Sequence, residues 1–423
     1  MWIINIFILF YPHYKFLFFT LFYNDFLIFH IIHFNNINTI YINKRKKEQF
    51  MKLTIKQNKL MEHLNYVIRG ISNKNLIPIL NCIKFELTND GLFLMSTDNE
   101  IAIKTFIDKK DIDNIDTTGE IVVSGRYIYE IIRKLPNELI NIEEVVDSKL
   151  YIYTQNSSFH LNCNNVSEFP NLELEDSKTP LFISQKLFKN IINQTAFATS
   201  TQESRPILTG INFHIEGNFL ECTATDSYRL AKKTVEVKSL LENSTDIVIP
   251  TKNLNELVRL FNDDEDELEM HVFNNKVIFK FNSIVMMSRL INGTYPNTSK
   301  LIPTDFELKM VVKYRDFFNS IDRASLLTNE ADKNTIKLQS NGNEIIVSSN
   351  IPEIGNVEEK LNVVKDNEKE IKIAFSSKYM MDALKSIESE DVELLFNGEI
   401  KPIILKNPES DNLIQLILPI RTY

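Results

Sequence analysis

The segments GRYIYEIIRKL (residues 125–135), TKNLNELVRLF (251–261) and SKYMMDALKSI (377–387) are one pattern written three times, and that repetition decides the fold. In the first, Ile128, Ile131, Ile132 and Leu135 recur at the i, i+3, i+4, i+7 spacing that places apolar residues on one face of an α-helix. A step of 126 residues leads to Leu254, Leu257, Val258 and Phe261, and a second step to Met380, Ala383, Leu384 and Ile387; all twelve positions are apolar. Basic residues keep the same step. Arg126 and Arg133 become Lys252 and Arg259, then Lys378 and Lys385.

Further out, an earlier helix recurs with each copy. Leu60 and Leu64 correspond to Phe188 and Ile192, then to Phe317 and Ile321. Pro78-Ile79-Leu80 returns as Pro206-Ile207-Leu208, and Thr97-Asp98 as Thr225-Asp226. The third copy has lost both elements, with Thr335-Ile336 and Ser349-Asn350 near those places. Agreement at two helices and two loop motifs, at steps of 126 to 129 residues, marks an internal repeat. Between the helices, Ile121–Val123, Lys149–Tyr153, Ile247–Ile249 and Val277–Phe281 are β-rich, with turn signals at Asn89-Asp90-Gly91 and Asn292-Gly293. Each copy therefore reads as an α+β unit, two helices packed on antiparallel sheet. Boundaries beside Asp176–Pro180 and Pro303-Thr304 divide the body into domains 51–176, 177–304 and 305–423.

Charge is segregated. The chain carries −9, and −12 once residues 1–50 are set aside. Yet the helical segments 58–71, 125–135, 185–198, 251–261, 313–327 and 376–387 hold fourteen basic residues against six acidic ones. They carry +8, which leaves −20 on everything else. An acidic body repels DNA from most directions, so helices gathered on one surface would attract phosphates there alone. A single lysine on a helix is an ordinary solvated residue, since Lys and Arg are good helix formers. Six helices with no net acidic member, inside a strongly acidic body, point to a surface that faces a polyanion.

Residues 1–50 are a different kind of sequence, rich in Phe, Ile, Tyr and Asn and without Gly, Ala or Val. Pro12, Lys15 and Asp25 interrupt the apolar runs, so no clean span of about 20 apolar residues exists for a membrane. The basic cluster Lys44–Lys47 follows the apolar part, where a signal peptide needs it before. The expectation is a start at Met51, with the preceding stretch an upstream region read as protein, or disordered.

Catalytic chemistry finds no constellation. Cys82, Cys163 and Cys222 are scattered and in no CxxC pair, which excludes a disulfide framework or zinc site and suits a reducing, cytoplasmic setting. His63, His160, His214 and His271 form no metal-ligand spacing, and neither a P-loop nor a dinucleotide glycine fingerprint is present. The acidic run Asp263–Glu267 reads as a solvated turn. Thr225-Asp226-Ser227 suggests a nucleophile with an acid, but the matching Thr97-Asp98 lacks the serine; a strand-end turn held by the Asp side chain explains both.

The body, Met51 to Tyr423, resembles the β sliding clamp family of bacterial DNA polymerase III. The resemblance is carried by Ile77–Leu80, TATDSYRLA (223–231), RLINGTYPNTSKLIP (289–303) and LILPIRTY (416–423). It implies three clamp domains per subunit, assembling head to tail into a closed dimeric ring with helices lining the hole. It implies no enzyme activity, cofactor or metal. The implied partners are double-stranded DNA without sequence preference, the polymerase catalytic subunit, the clamp loader, repair proteins bearing a clamp-binding motif, and a second copy of the chain, with no membrane. The family's DNA-facing positions fall on Lys74, Arg126, Arg133, Arg205, Lys252 and Arg259. Its partner-peptide pocket, between the second and third domains, falls on Leu208, Thr225, Ser227, Tyr228, Arg229, Leu230, Pro303, Leu416 and Leu418. Read alone, the four leucines would be core; together with the polar members they suit a short extended peptide with apolar anchors. The rival readings are an enzyme of nucleic-acid metabolism on a repeated scaffold, and a membrane-attached scaffold resting wholly on residues 1–50.

Overall fold

The computed structural model describes residues 50–72, 76–146, 148–177, 179–261 and 266–421. Before residue 43 it describes backbone alone, four antiparallel strands from Ile4–Tyr11 to Asn36–Ile42 in a sheet of their own. Lys74 and the residues Asp263, Asp264 and Glu265 lie outside the described residues, as does part of the segment expected to precede a start at Met51.

The repeat becomes six helices: α1 (Gln57–Val67), α2 (Gly125–Lys134), α3 (Gln185–Thr195), α4 (Thr251–Val258), α5 (Tyr314–Ser325) and α6 (Ser377–Lys385). Of the twelve repeated apolar residues ten are buried, and Ile131 and Val258 pack half-buried on the same core. Leu60, Leu64, Phe188, Ile192, Phe317 and Ile321 are all buried. Each such side chain contributes about 1.5–3 kcal/mol of burial, so the periodicity is the main reason the helices sit where they do. The charged steps Arg126, Arg133, Lys252, Arg259, Lys378 and Lys385 all keep their side chains at the surface.

The sheets cross the repeat boundaries. A 14-stranded sheet runs through the first two copies, a 9-stranded sheet through the second and third, and a 4-stranded sheet closes the third. At the first junction strand Ile101–Asp108 pairs with Ile284–Arg289, with Ile101 opposite Ser288. At the second, Arg229–Glu236 pairs with Ser410–Ile417, with Arg229 opposite Ile417. The closing hydrogen bond is the same in both: Arg289 N–H donates to Glu100 C=O at 2.9 Å, and Leu418 N–H to Tyr228 C=O at 2.9 Å. Two counterparts of the junction strands have no partner in a neighbouring repeat. Gly355–Asn362, the third copy's counterpart of Arg229–Glu236, ends the 4-stranded sheet. Ser158–Asn164, the first copy's counterpart of Ile284–Arg289, pairs with Lys149–Tyr153; on its other side only Cys163 and Asn164 are paired, with Val123 and Val122.

The first two copies share one hydrophobic core, the third has its own, and Phe197 packs against both. A buried polar bracket joins copies two and three: Gln415 Nε2 donates to Gln194 C=O at 3.0 Å and to Ser386 Oγ at 2.8 Å, and Gln194 Nε2 donates to Ser386 C=O at 3.1 Å. Asn292-Gly293, expected as a turn, is not a hairpin turn; it lies in the connection leaving strand Ile284–Arg289, where Pro296 removes a backbone donor that a following strand would need.

Burial lowers the pKa of His63, whose Nδ1 lies 2.7 Å from Thr105 Oγ1, below its ordinary 6.5. The folded state thus favours the neutral ring, and unfolding takes up a proton as pH drops through 6.5. Stability from this group is full above that pH and is lost on acidification. Urea midpoints measured between pH 8 and 5 should fall more steeply for the unaltered chain than for His63→Asn.

Candidate functional site

The repeated Thr-Asp motif folds into the same strand-end turn twice. In copy one, Asp98 Oδ1 accepts from the N–H groups of Glu100 (3.0 Å) and Ile101 (2.9 Å), and Thr97 Oγ1 donates to Ile101 C=O at 2.7 Å. In copy two, Asp226 Oδ1 accepts from Tyr228 (2.9 Å) and Arg229 (3.0 Å), and Thr225 Oγ1 donates to Arg229 C=O at 2.6 Å. Asn99 and Ser227 hold the corner with φ of 75° and 78°. The turn reading of Asp226-Ser227 therefore stands: Asp226 satisfies backbone and is no activating acid. Thr225 N–H also donates to the Tyr295 hydroxyl at 3.0 Å, so the 290–298 connection braces the turn.

This turn brings most of the expected cleft residues together. Leu230 pairs with Leu416, and both are buried with Leu395 and Ile404 in a small apolar cluster against which Ile302, next to Pro303, is packed. Leu418 is tied to Tyr228 through its backbone and is 38% exposed; Tyr228 is 59% exposed. Leu208 is buried in the Pro206–Thr209 turn, and Arg205, just before it, donates from Nη1 to Ser227 Oγ at 3.3 Å. Ser227, Tyr228 and Leu418 are thus the exposed members of the set, and Leu208, Leu230 and Leu416 are buried. Arg205, bonded to Ser227, lies off the helices on which the other described basic residues of the expected DNA-facing set lie or end.

Arg229 is held tightly. Its Nε donates to Asp226 Oδ2 at 3.0 Å and its Nη1 to Asp382 Oδ2 at 2.7 Å, and its guanidinium lies 4.5 Å from the Tyr379 ring centre and 5.4 Å from that of Phe197. Asp382, Tyr379, Phe197 and Tyr295 touch Arg229 or Thr225 and are absent from the set expected from sequence. For Asp382 a signal exists: the step of 126 that links Arg126 to Lys252 also links Glu130 to Glu256 and Asp382.

On the helical surface the four basic residues differ. Arg133 is paired with Glu130 at 2.6 Å and Arg259 with Glu256 at 2.5 Å. Lys252 lies 3.9 Å from Asp98, whereas Arg126 makes no ion pair among the described residues. Glu256 also receives Arg69 at 3.2 Å, across the first junction.

The four histidines whose side chains are described stay apart, with separate partners: Thr105 for His63, Asp246 for His214, Ser177 and Glu269 for His271, and the Tyr151 ring for His160. Among the described residues no group of three or more His, Cys, Asp or Glu is arranged to hold a metal ion, and no helix is long and apolar enough to cross a membrane. Burial raises the pKa of all three thiols, that of Cys163 to about 11, the reverse of what a nucleophile needs.

Comparison with known proteins gives a consistent picture. Three family models match in chain order: the DNA polymerase III beta subunit N-terminal domain over residues 51–173, its central domain over 182–297 and its C-terminal domain over 299–421. The beta sliding clamp of Staphylococcus epidermidis is 40% identical over 378 residues, 88% of this chain and 100% of that protein. That of Staphylococcus aureus is 39% identical over 377 residues, with the same coverage. Among solved structures, the DNA polymerase sliding clamp of Bacillus subtilis superposes with a TM-score of 0.85 at 38% identity, covering 88% of this chain and 100% of that one. The DNA polymerase III beta chain of Streptococcus pneumoniae gives 0.83 at 33%, with the same coverage.

Proposed function

The chain belongs to the DNA polymerase III β-subunit family of sliding clamps, and we propose that it serves processivity by closing a ring around duplex DNA while holding partner peptides in the cleft between its second and third domains. It is a non-catalytic subunit, in three domains of 51–176, 177–304 and 305–423. Its work needs no cofactor, and its place is the cytoplasm, with the DNA. The polymerase catalytic subunit, the clamp loader and repair proteins take the cleft in turn through short extended segments with apolar anchors.

One observation carries the ring reading: the junction between neighbouring repeats recurs in the same register and leaves two complementary edges unused. Applied a third time, the junction sets strand Gly355–Asn362 of one copy antiparallel to Ser158–Asn164 of another, and Asn162 N–H donates across it to Ile354 C=O. An open edge is otherwise a liability in solution. Exposed apolar residues sit where this joint would cover them. Leu326 (78% exposed) occupies the place of Phe197, which already packs into the next repeat, and Tyr127 (64%) the place of Tyr379. Such a head-to-tail contact closes on itself with two copies and six domains.

The DNA reading rests on the exposed basic steps of the helices. Phosphate contacts of this kind position without reading sequence, which lets a ring slide. Alanine at Arg126, Arg133, Lys252 and Arg259 together should flatten the log–log salt dependence of DNA retention, by about 0.9 for each phosphate no longer neutralised. Among single changes Arg126→Ala should cost most, because Arg133 and Arg259 are partly neutralised by their own helices. Retention by the fourfold variant with an unchanged salt slope would count against a helical DNA face, and altered sequence preference would show that the helices read bases.

A further inference from the structure

The carboxylate three residues before the last basic step of the second helix behaves differently in the third repeat. Glu130 accepts from Arg133, and Glu256 from Arg259, each within its own helix. The matching pair is Asp382 and Lys385, but Lys385 makes no ion pair among the described residues. Asp382 reaches instead to Arg229 in the second domain, 153 residues away, and completes a cluster of two carboxylates around one guanidinium. The cluster is largely shielded, with side chains 11%, 13% and 27% exposed for Arg229, Asp226 and Asp382. Asp226 is already committed, one oxygen to the backbone of the turn and the other to Arg229 Nε. Only Asp382 has no second duty, and it takes a donor of the guanidinium fork that a ligand carboxylate would otherwise claim.

Resting on the cleft reading above, we propose that Asp382 is a positioning and specificity-determining residue of the partner-peptide cleft: it holds Arg229 over the Tyr379 ring and gives the shielded rim a net negative charge, so the cleft prefers peptides whose anchor is neutral over those that bring a carboxylate beside it. Arg205, on the same rim, is exposed, and its pull on an acidic ligand is screened by salt. Replacing Asp382 by Asn keeps size and shape while it removes the charge. The cluster becomes neutral overall, and Arg229 Nη1 is left with an uncharged acceptor that a peptide carboxylate can displace.

The test uses the full chain and two fluorescein-labelled pentapeptides of sequence Ser-Leu-Ser-Leu-Phe, one amidated at its C-terminus and one ending in the free acid. Their affinities are compared by fluorescence anisotropy at low and high salt. The unaltered chain should prefer the amide. Asp382→Asn should shift the amide-to-acid ratio toward the acid by about fivefold at low salt, Asp382→Glu should restore the preference, and raised salt should narrow the difference. A packing role alone would weaken both peptides equally. An unchanged ratio in Asp382→Asn, with both peptides still bound, overturns the proposal and leaves the cleft standing. Failure of both peptides to bind the unaltered chain overturns the cleft reading and this proposal with it.

Discussion

A chain ending at Ile417 should stay folded and dimeric, yet lose stimulation of its polymerase. The cut is placed by the structure. Leu416 and Ile417 belong to the strand that joins the second and third repeats and are 3% and 1% exposed, so removing them would breach the junction itself. Leu418 is the first residue of the tail to offer its side chain to solvent, beside Tyr228. Beyond it the tail is tied by Ile420 N–H donating to Ala374 C=O at 2.7 Å, a contact within the third repeat. A small peptide interface depends on a few anchors, each worth about 2 kcal/mol or more. Loss of the Leu418 wall should therefore weaken peptide binding by about 30-fold or more. Primer-extension assays with and without the truncated clamp read the effect, after circular dichroism has established folding. Normal stimulation by the folded truncation would show that the peptide binds elsewhere; a monomeric truncation would move the tail from the cleft to the ring joint.

The second large effect concerns the joint. The paired change Leu326→Asp and Ile354→Asp should turn the dimer into a monomer and abolish retention on DNA. Both residues are largely exposed in the single chain, 78% and 72%, so the changes cost the fold of the subunit little. In the ring, Leu326 stands where Phe197 stands at the internal junction, and Ile354 where Tyr228 does. Burying an uncompensated carboxylate at position 326 against the partner's Tyr127, with a second charge set at the edge of the joint by position 354, should raise the dimer dissociation constant by about a hundredfold or more. Light scattering at micromolar concentration gives the answer. A doubly substituted chain that remains a dimer would rule out pairing through these edges.

The fold was legible where its causes are local. Helix positions came from a 3.6-residue apolar period, and every repeated position proved to face a core, because an amphipathic helix has one way to hide its stripe. The Thr-Asp turns were legible too, since the Asp side chain bonds the backbone two and three residues on. Parts of the site were not. Asp382 and Arg229 are 153 residues apart, and no periodicity says that two such charges will meet. Arg205, which the family resemblance assigns to the DNA-facing set, is brought to Ser227 only by the tertiary structure.

By itself, then, the sequence determined a threefold α+β repeat, the placement of its helices, the excess of positive charge on them and the absence of a catalytic motif. Each of these depends on residues within a few positions of one another or on a constant step along the chain. Tertiary structure alone decided that sheets run across the repeat boundaries, that the first two repeats share a core, and that one helix carboxylate in three is diverted to Arg229 of the neighbouring repeat. Strand pairing is hydrogen bonding between backbones, the same groups in every residue, so which edges meet depends on which are brought close by packing rather than on what the side chains spell.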